Sequence, residues 1–168
     1  MARRLPGADA VIVGLGWTGS VLARELTDAG LRMVAVERGP WRDTATDFPT
    51  TYAQDELRHR IRHDLEWFGC GNYSRSSPQT CILPALVRSG NFEARTECEV
   101  TRVNMDRTGK RATGVTFVDA AGEEWEQLAD IVLLCAFQMF NVQLLLHSGI
   151  GKPCDPATGE GTVGRNYS

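Results

Sequence analysis

The 168-residue sequence predicts an α/β domain: a parallel sheet opened by a βαβ unit, with a three-stranded antiparallel meander inserted before its last strand. Three observations predict it. A buried-strand pattern runs straight into three glycines, an amphipathic segment and a second apolar run. Later come three short segments rich in Val, Thr and Phe, joined by hairpin-like connections. A last apolar run then feeds a further helical segment. Strand, helix, strand in that order is the pattern of parallel sheets, whereas short β-rich runs with tight joints pair antiparallel.

Taken in order, Asp9 to Gly14 reads as a short buried strand and Thr18 to Gly30 as a helix. Leu22, Leu26 and Ala29 share one face of that helix, Arg24 and Asp28 stand outside at helical spacing, and Gly30 stops it. Met33 to Val36 is the second strand and ends at Glu37. Residues 39–50, with Pro40 and Pro49, read as loop, and Tyr52 to Leu65 as helix. Phe68 to Asn72 is a turn-rich break. Pro78 to Arg88 reads as a helix capped by Ser76 or Ser77, with Pro84 awkward in its interior. The meander strands are Val100 to Asp106, Ala112 to Val118 and Glu123 to Gln127, joined by "RTGK" and "DAAG". Ile131 to Cys135 is a fully buried strand, and Asn141 to His147 a helix stopped at "SGIG".

The stretch "VIVGLGWTGS" carries the chemistry. Its glycines have GxGxxG spacing, leave a strand, open a helix, and precede an acidic residue at the end of the next strand. Together these conditions describe a Rossmann-like dinucleotide site, where the spacing alone is a weak signal. Gly14 permits the tight turn, Gly16 lets backbone approach a pyrophosphate, and Gly19 lets helix pack on strand. Backbone N–H groups of Trp17, Thr18, Gly19 and Ser20 then face phosphate at the positive end of the helix. Glu37 is placed to accept the hydroxyls of an adenosine ribose, which disfavours a ribose phosphate. The glycines alone would also serve any tight strand-to-helix turn, but that leaves Glu37 unexplained. Between FAD and NAD, the meander before the next buried strand favours FAD.

The totals exclude several classes. Net charge is −3 and no Lys/Arg cluster interleaves with aromatics, so nucleic acid is not an expected partner. The longest apolar run is strand-sized, so membrane insertion is not expected. The apolar segment after Pro6 is too short and glycine-broken for a signal sequence. Cys70, Cys81, Cys98, Cys135 and Cys154 are scattered and odd in number, without a CxxC pair, which predicts neither a zinc site nor a disulfide framework. Reduced thiols in a cytoplasmic setting are the expectation. His59 and His63 lie one helical turn apart, but Arg58, Arg60 and Arg62 surround them and no third ligand accompanies them; they read as a solvated basic face.

"VIVGLGWTGSVLARELTDAGLRMVAVERGP" resembles the FAD fingerprint of the glucose-methanol-choline (GMC) oxidoreductases, in particular their gluconate dehydrogenase branch. "RSSPQTCILPALVRSGNFEARTECEVTRVNMDRTGKRATGVTFVD", "LLLHSGIG" and "VGRNYS" are similar to later stretches of the same family. The resemblance implies pyrophosphate contacts at Gly14, Gly16 and Gly19, with Trp17 and Thr18 between them, and a ribose contact at Glu37. It implies that Arg38 belongs to the family's Glu-Arg-Gly loop and that Val100 contacts adenine through its backbone. Ala136 stands where relatives have Ala-Gly, with Phe137 in place of the glycine, and Asn141-Val142 stand near a usual Ser/Thr-Pro.

Measured against that family, the chain jumps from Leu65 to Glu66, and it stops at Ser168 before the part that supplies the catalytic His and its partner. Cys70, in "FGCGN", is what remains of a cysteine-rich segment in the gluconate dehydrogenase branch. No catalytic residue and no metal ligand is therefore assigned. The resemblance implies a single FAD-binding domain over 1–168, with the βαβ unit and a helix in 1–65 and the remainder in 66–168. It holds FAD through the ADP moiety without the parent dehydrogenase activity. Two alternatives stand beside it. One is a stand-alone flavoprotein oxidoreductase passing electrons from an exposed flavin to small acceptors. The other is a cofactor-free fragment that forms homo-oligomers through the surface exposed by the missing domain.

Overall fold

The computed structural model describes residues 2–42, Asp47 and residues 76–165. The expected helix Tyr52 to Leu65, the break Phe68 to Asn72, and Cys70, His59 and His63 lie outside the described residues. One six-stranded sheet organises the chain. Strand β1 (Arg3–Val13) leads into helix α1 (Trp17–Asp28) and strand β2 (Met33–Val36). Two short helices, α2 (Pro78–Cys81) and α3 (Leu83–Leu86), precede strand β3 (Phe92–Arg95). Then follow β4 (Glu99–Met105), β5 (Ala112–Val118), β6 (Glu124–Leu134) and helix α4 (Gln138–His147). The strand order is β3-β2-β1-β6-β5-β4. β3, β2, β1 and β6 run parallel, whereas β4, β5 and β6 form the antiparallel meander.

Chain length dictates how this sheet bends. β3 and β4 lie at opposite edges, five strand spacings or roughly 24 Å apart if the sheet were flat. Yet Arg95 and Glu99 are four residues apart, a reach of at most roughly 14 Å. The sheet must curl so that the meander lies over the parallel half. The contacts agree: Cys98 N–H donates to the Glu37 carbonyl at 2.9 Å, and the Arg95 guanidinium sits 5.8 Å from the Phe117 ring centroid. Between the two layers lies one core, in which Val11, Val13, Val34 and Val36 meet Val103, Val115, Phe117 and Leu144. The other face of β1 and β2, through Ala10, Ile12, Met33 and Ala35, packs on Ala23, Leu83 and Leu86 of the helices. The alternation along β1 and β2 thus feeds two cores, as expected of strands buried on both faces.

Several expectations need correction. β1 starts at Arg3, not Asp9, because Arg3 to Leu5 pair with Trp125 to Gln127. Arg4 bonds Glu126 at 2.7 Å, and Gln127 Nε2 fills the bulge between Leu5 and Ala8 by donating to the Pro6 carbonyl. Such cross-strand partners leave no trace in local periodicity. The helix expected over Pro78 to Arg88 is two short ones, broken at Ile82 before Pro84. Ser77, not Ser76, caps the first through a reciprocal box with Thr80. β3 was not expected at all. The third meander strand and the last parallel strand are one continuous element, β6, and it is not fully buried: Ile131 is 47% exposed.

The β5–β6 hairpin contains a titrating brace. The Asp119 carboxylate accepts Ala121 N–H and Glu123 N–H, both at 2.9 Å, and Trp125 Nε1–H at 2.8 Å. The Glu123 amide first, then the Trp125 indole, hold its carboxyl below the ordinary value. A depressed folded value means that this brace stabilises above the unfolded value of about 3.9 and fades as pH falls through the folded one. In urea melts taken from pH 6 downward, the advantage of wild type over Asp119→Asn should be constant to about pH 4 and shrink below it. A constant gap would contradict the assignment.

Candidate functional site: a dinucleotide cradle at the strand ends

The chain goes from β1 to β2 and β3 on one side and returns to β6 on the other, which puts a topological switch point between β1 and β6. Ligands of open α/β sheets bind outside the carboxyl ends of the strands at such a point. Val13 is paired with Val36 on one side and Leu134 on the other. Gly14 N–H continues the ladder to Val36 O at 2.9 Å, and Cys135 N–H to Val13 O at 2.8 Å. The next residues on each strand, Glu37 and Ala136, therefore flank the glycine turn. Seven of the expected site positions, Gly14, Gly16, Trp17, Thr18, Gly19, Glu37 and Ala136, come together here.

The three glycines separate by cause. Gly14 has φ +93, and a Cβ there would stand 2.9 Å from both Ala136 Cα and Cys135 O. Gly19 has a helical backbone, but its Cβ would lie 1.9 Å from Gly14 O. The fold itself requires both. Gly16 is different: its φ is −66 and ψ −168, open to any residue, and a Cβ would meet nothing within 4 Å. It is also the N-cap of α1, where Ser, Thr, Asn or Asp is preferred, and no side chain caps the helix. Gly16, Trp17 and Thr18 are exposed. Among the described residues nothing accounts for a glycine at this uncapped helix end. A phosphate brought close to backbone N–H groups accounts for it, so these residues fit a dinucleotide.

Glu37 fixes the rim. Its Oε2 accepts Leu15 N–H and its Oε1 accepts Gly39 N–H, each at 2.7 Å. A carboxylate has about four acceptor positions, so each oxygen keeps one for a diol. The bond to Leu15 was not legible in the sequence: Glu37 also ties β2 to the glycine turn. Ser20 Oγ–H, fully buried, donates to Leu15 O at 2.9 Å and steadies the same turn. Glu37→Ala should therefore lower the stability of ligand-free protein, by about 2–4 kcal/mol for two charge-assisted bonds, as well as weaken ligand binding. Thermal melting without added ligand checks the first effect.

On the other side, Asn141 braces the β6–α4 turn: Ala136 N–H donates to its Oδ1 at 3.1 Å and its Nδ2 donates to Leu134 O at 3.2 Å. Sequence reading noted Asn141 as a departure and missed this role. Phe137, the residue standing in place of a glycine, sits at φ +69 and ψ +147 with its ring 61% exposed. Val100 lies apart from the turn. It is partly buried, pairs with Phe117 and packs on the inter-layer core, joined to the Glu37 end through Cys98. Arg38 is exposed beside Glu37, with its guanidinium 5.0 Å from the Phe140 ring centroid. It lines an open crevice of about 290 Å³ together with Glu97, Glu99, Val118 and Asp119.

Burial, reinforced for Cys98 by the Asp119 charge, pushes the Cys98 and Cys135 thiols up, away from the thiolate. His147 is exposed in the last turn of α4. Among the described residues no three His, Cys, Asp or Glu side chains are grouped to hold a metal ion, and no helix is long and apolar enough to cross a membrane.

Known proteins resemble parts of this chain. A gluconate 2-dehydrogenase flavoprotein from Pantoea cypripedii is 52% identical over 101 residues, which are 60% of this chain and 16% of that protein. Among solved structures, pyridoxine 4-oxidase from Mesorbium loti superposes with a TM-score of 0.62 at 16% identity, over 86% of this chain and 52% of the other. A formate oxidase of Aspergillus oryzae gives 0.58 at 14% identity, over 89% and 48%. The chain thus spans a part of each. The structural matches speak for the fold: a Rossmann-type sheet of the flavoprotein kind. Residues 44–168 match the GMC oxidoreductase family, and the chain belongs to it.

Proposed function

We propose that this chain is one FAD-binding domain, which grips FAD through its ADP half and does not by itself oxidise the alcohol or sugar acid of longer relatives. Gly16 is the observation that carries the reading, a glycine at an uncapped helix end whose Cβ position no described residue approaches and that a bound phosphate explains. The first-turn N–H groups of α1 and the dipole behind them face the diphosphate. The two open acceptor positions of Glu37 take the ribose hydroxyls, and the backbone at Val100 meets the base.

FAD supplies a hydride acceptor, but alcohol oxidation also needs a base for the hydroxyl proton. Glu37 already holds a backbone amide on each oxygen. His147 stands at the far end of α4, about 14 Å along the axis from the turn beside Ala136. Among the described residues, neither of these two is placed to serve. The absorbance spectrum of the purified protein before and after denaturation tests the first half, because released FAD identifies cofactor and occupancy together. Dye reduction with gluconate tests the second, and turnover near that of a full-length relative would refute it.

Self-association is a second reading, favoured by exposed apolar side chains. Trp17 and Val21 stand one turn apart on α1, and Phe137, Met139 and Phe140 cluster at the start of α4. Sedimentation velocity with and without FAD separates a monomeric holder from a self-associating one. The free thiols Cys81, Cys98, Cys135 and Cys154 fit a reducing, cytoplasmic setting.

A further inference from the structure

We propose that Phe140 is a positioning residue for the adenosine end of the site: its ring holds the Arg38 guanidinium as a stacking platform for the purine base. The inference rests on the FAD reading above and adds to it a residue that the glycine fingerprint does not contain.

Arg38 follows Glu37 at the end of β2, and Phe140 lies in the first turn of α4 just beyond β6. A contact between them reaches across the end of β1, which lies between those strands. The choice of partner is informative. Glu97, Glu99 and Asp119 line the same crevice, yet Arg38 forms no ion pair with any of them and rests on the aromatic ring. The Asp119 carboxylate is already engaged by Ala121, Glu123 and Trp125.

A guanidinium stacked on a ring gives up one face and keeps its in-plane N–H groups and its other face. Its position is set without neutralising its charge. The carboxylates around it make the crevice unfavourable for phosphate and favourable for a neutral group that donates N–H. A purine with an exocyclic amine has that chemistry, together with a flat face for Arg38. Phosphate belongs instead at the α1 terminus, where Glu37 is the one carboxylate hydrogen-bonded to the glycine turn among the described residues. The division of labour assigns the base to the Arg38 crevice and the diphosphate to the glycine turn.

Phe140 is 42% exposed, so its replacement is compatible with folding. The probes are FAD and ADP, titrated into ligand-free protein by fluorescence quenching and calorimetry. Phe140→Leu keeps an apolar side chain and removes the ring; it should weaken both ligands about five- to tenfold, because the freed Arg38 side chain must then be ordered at binding. Phe140→Tyr should restore wild-type affinity. The melting temperature of the ligand-free Leu variant should stay at the wild-type value, which a merely structural role would lower. In an Arg38→Gln background, Phe140→Leu should have no further effect. Wild-type affinity in Phe140→Leu, or additive losses in the double variant, overturns the inference and leaves the FAD reading standing. A wild-type protein that takes up neither probe overturns both.

Discussion

Gly16→Val is expected to give a folded protein with severely weakened FAD binding, whereas Gly19→Ala is expected to give one that folds poorly. The two residues stand three apart in one motif, and their environments are opposite. A Cβ on Gly19 would lie 1.9 Å from the Gly14 carbonyl oxygen and 3.2 Å from Ile12 Cγ2. The obstructing atom is backbone in the turn itself, so relief requires α1 to move off β1, at a cost of about 3 kcal/mol or more. At Gly16 a Cβ meets open space and the backbone is in an ordinary extended conformation, so valine is accommodated. On the proposed function, valine fills the path by which phosphate reaches the amides. FAD affinity should fall by about a hundredfold or more, the loss of several hydrogen bonds to a charged group. Thermal melting and FAD titration of the two variants measure both halves. A Gly16→Val protein with wild-type affinity would place the phosphates elsewhere.

The second large effect runs toward greater stability. Phe137, at φ +69 and ψ +147, occupies backbone space that non-glycine residues seldom enter. Such residues carry about 1–3 kcal/mol of strain. Phe137→Gly removes the strain and gives back about 0.5–1 kcal/mol in unfolded-chain entropy. Little burial is lost with a ring that is mostly exposed. A net gain of about 1 kcal/mol corresponds to a rise in melting temperature of roughly 2–4 °C for a chain of this size. Phe137→Ala keeps the forbidden Cβ and should show no such rise. Equal melting temperatures for the Gly variant and wild type would deny the strain. The resemblance places a glycine at this position, and the dihedral angles supply the physical reason for it.

The turn was legible because its evidence is local. Three glycines, a strand before, a helix after and Glu37 at the next strand end are features of consecutive residues, and the structure gathers them at the switch point. Ala136 reached the same place through β6, which local reading did not foresee as one strand. What escaped is what depends on distant pairing. β3 is four residues long and acquires its identity from the register Met33 to Phe92. The run through Leu128 to Asp130 looked like a gap between two strands because its residues answer to β1 and β5 rather than to each other. The Leu15–Glu37 bond and the Arg38–Phe140 contact join residues that the chain brings together only after the sheet has closed.

The continuity of β6 also decides how the molecule opens. One end of that strand is locked to β5 and the other to β1 beside the glycine turn. Amide exchange should therefore treat meander and cradle as one cooperative unit, with no route by which the turn melts while β5 stays closed. A ligand held at Gly14 to Ser20 would then slow exchange at Val115 and Phe117, residues it never touches, as much as at Val11 and Ile12. The strand would act as a rigid lever, reporting occupancy of one layer in the hydrogen-exchange clock of the other.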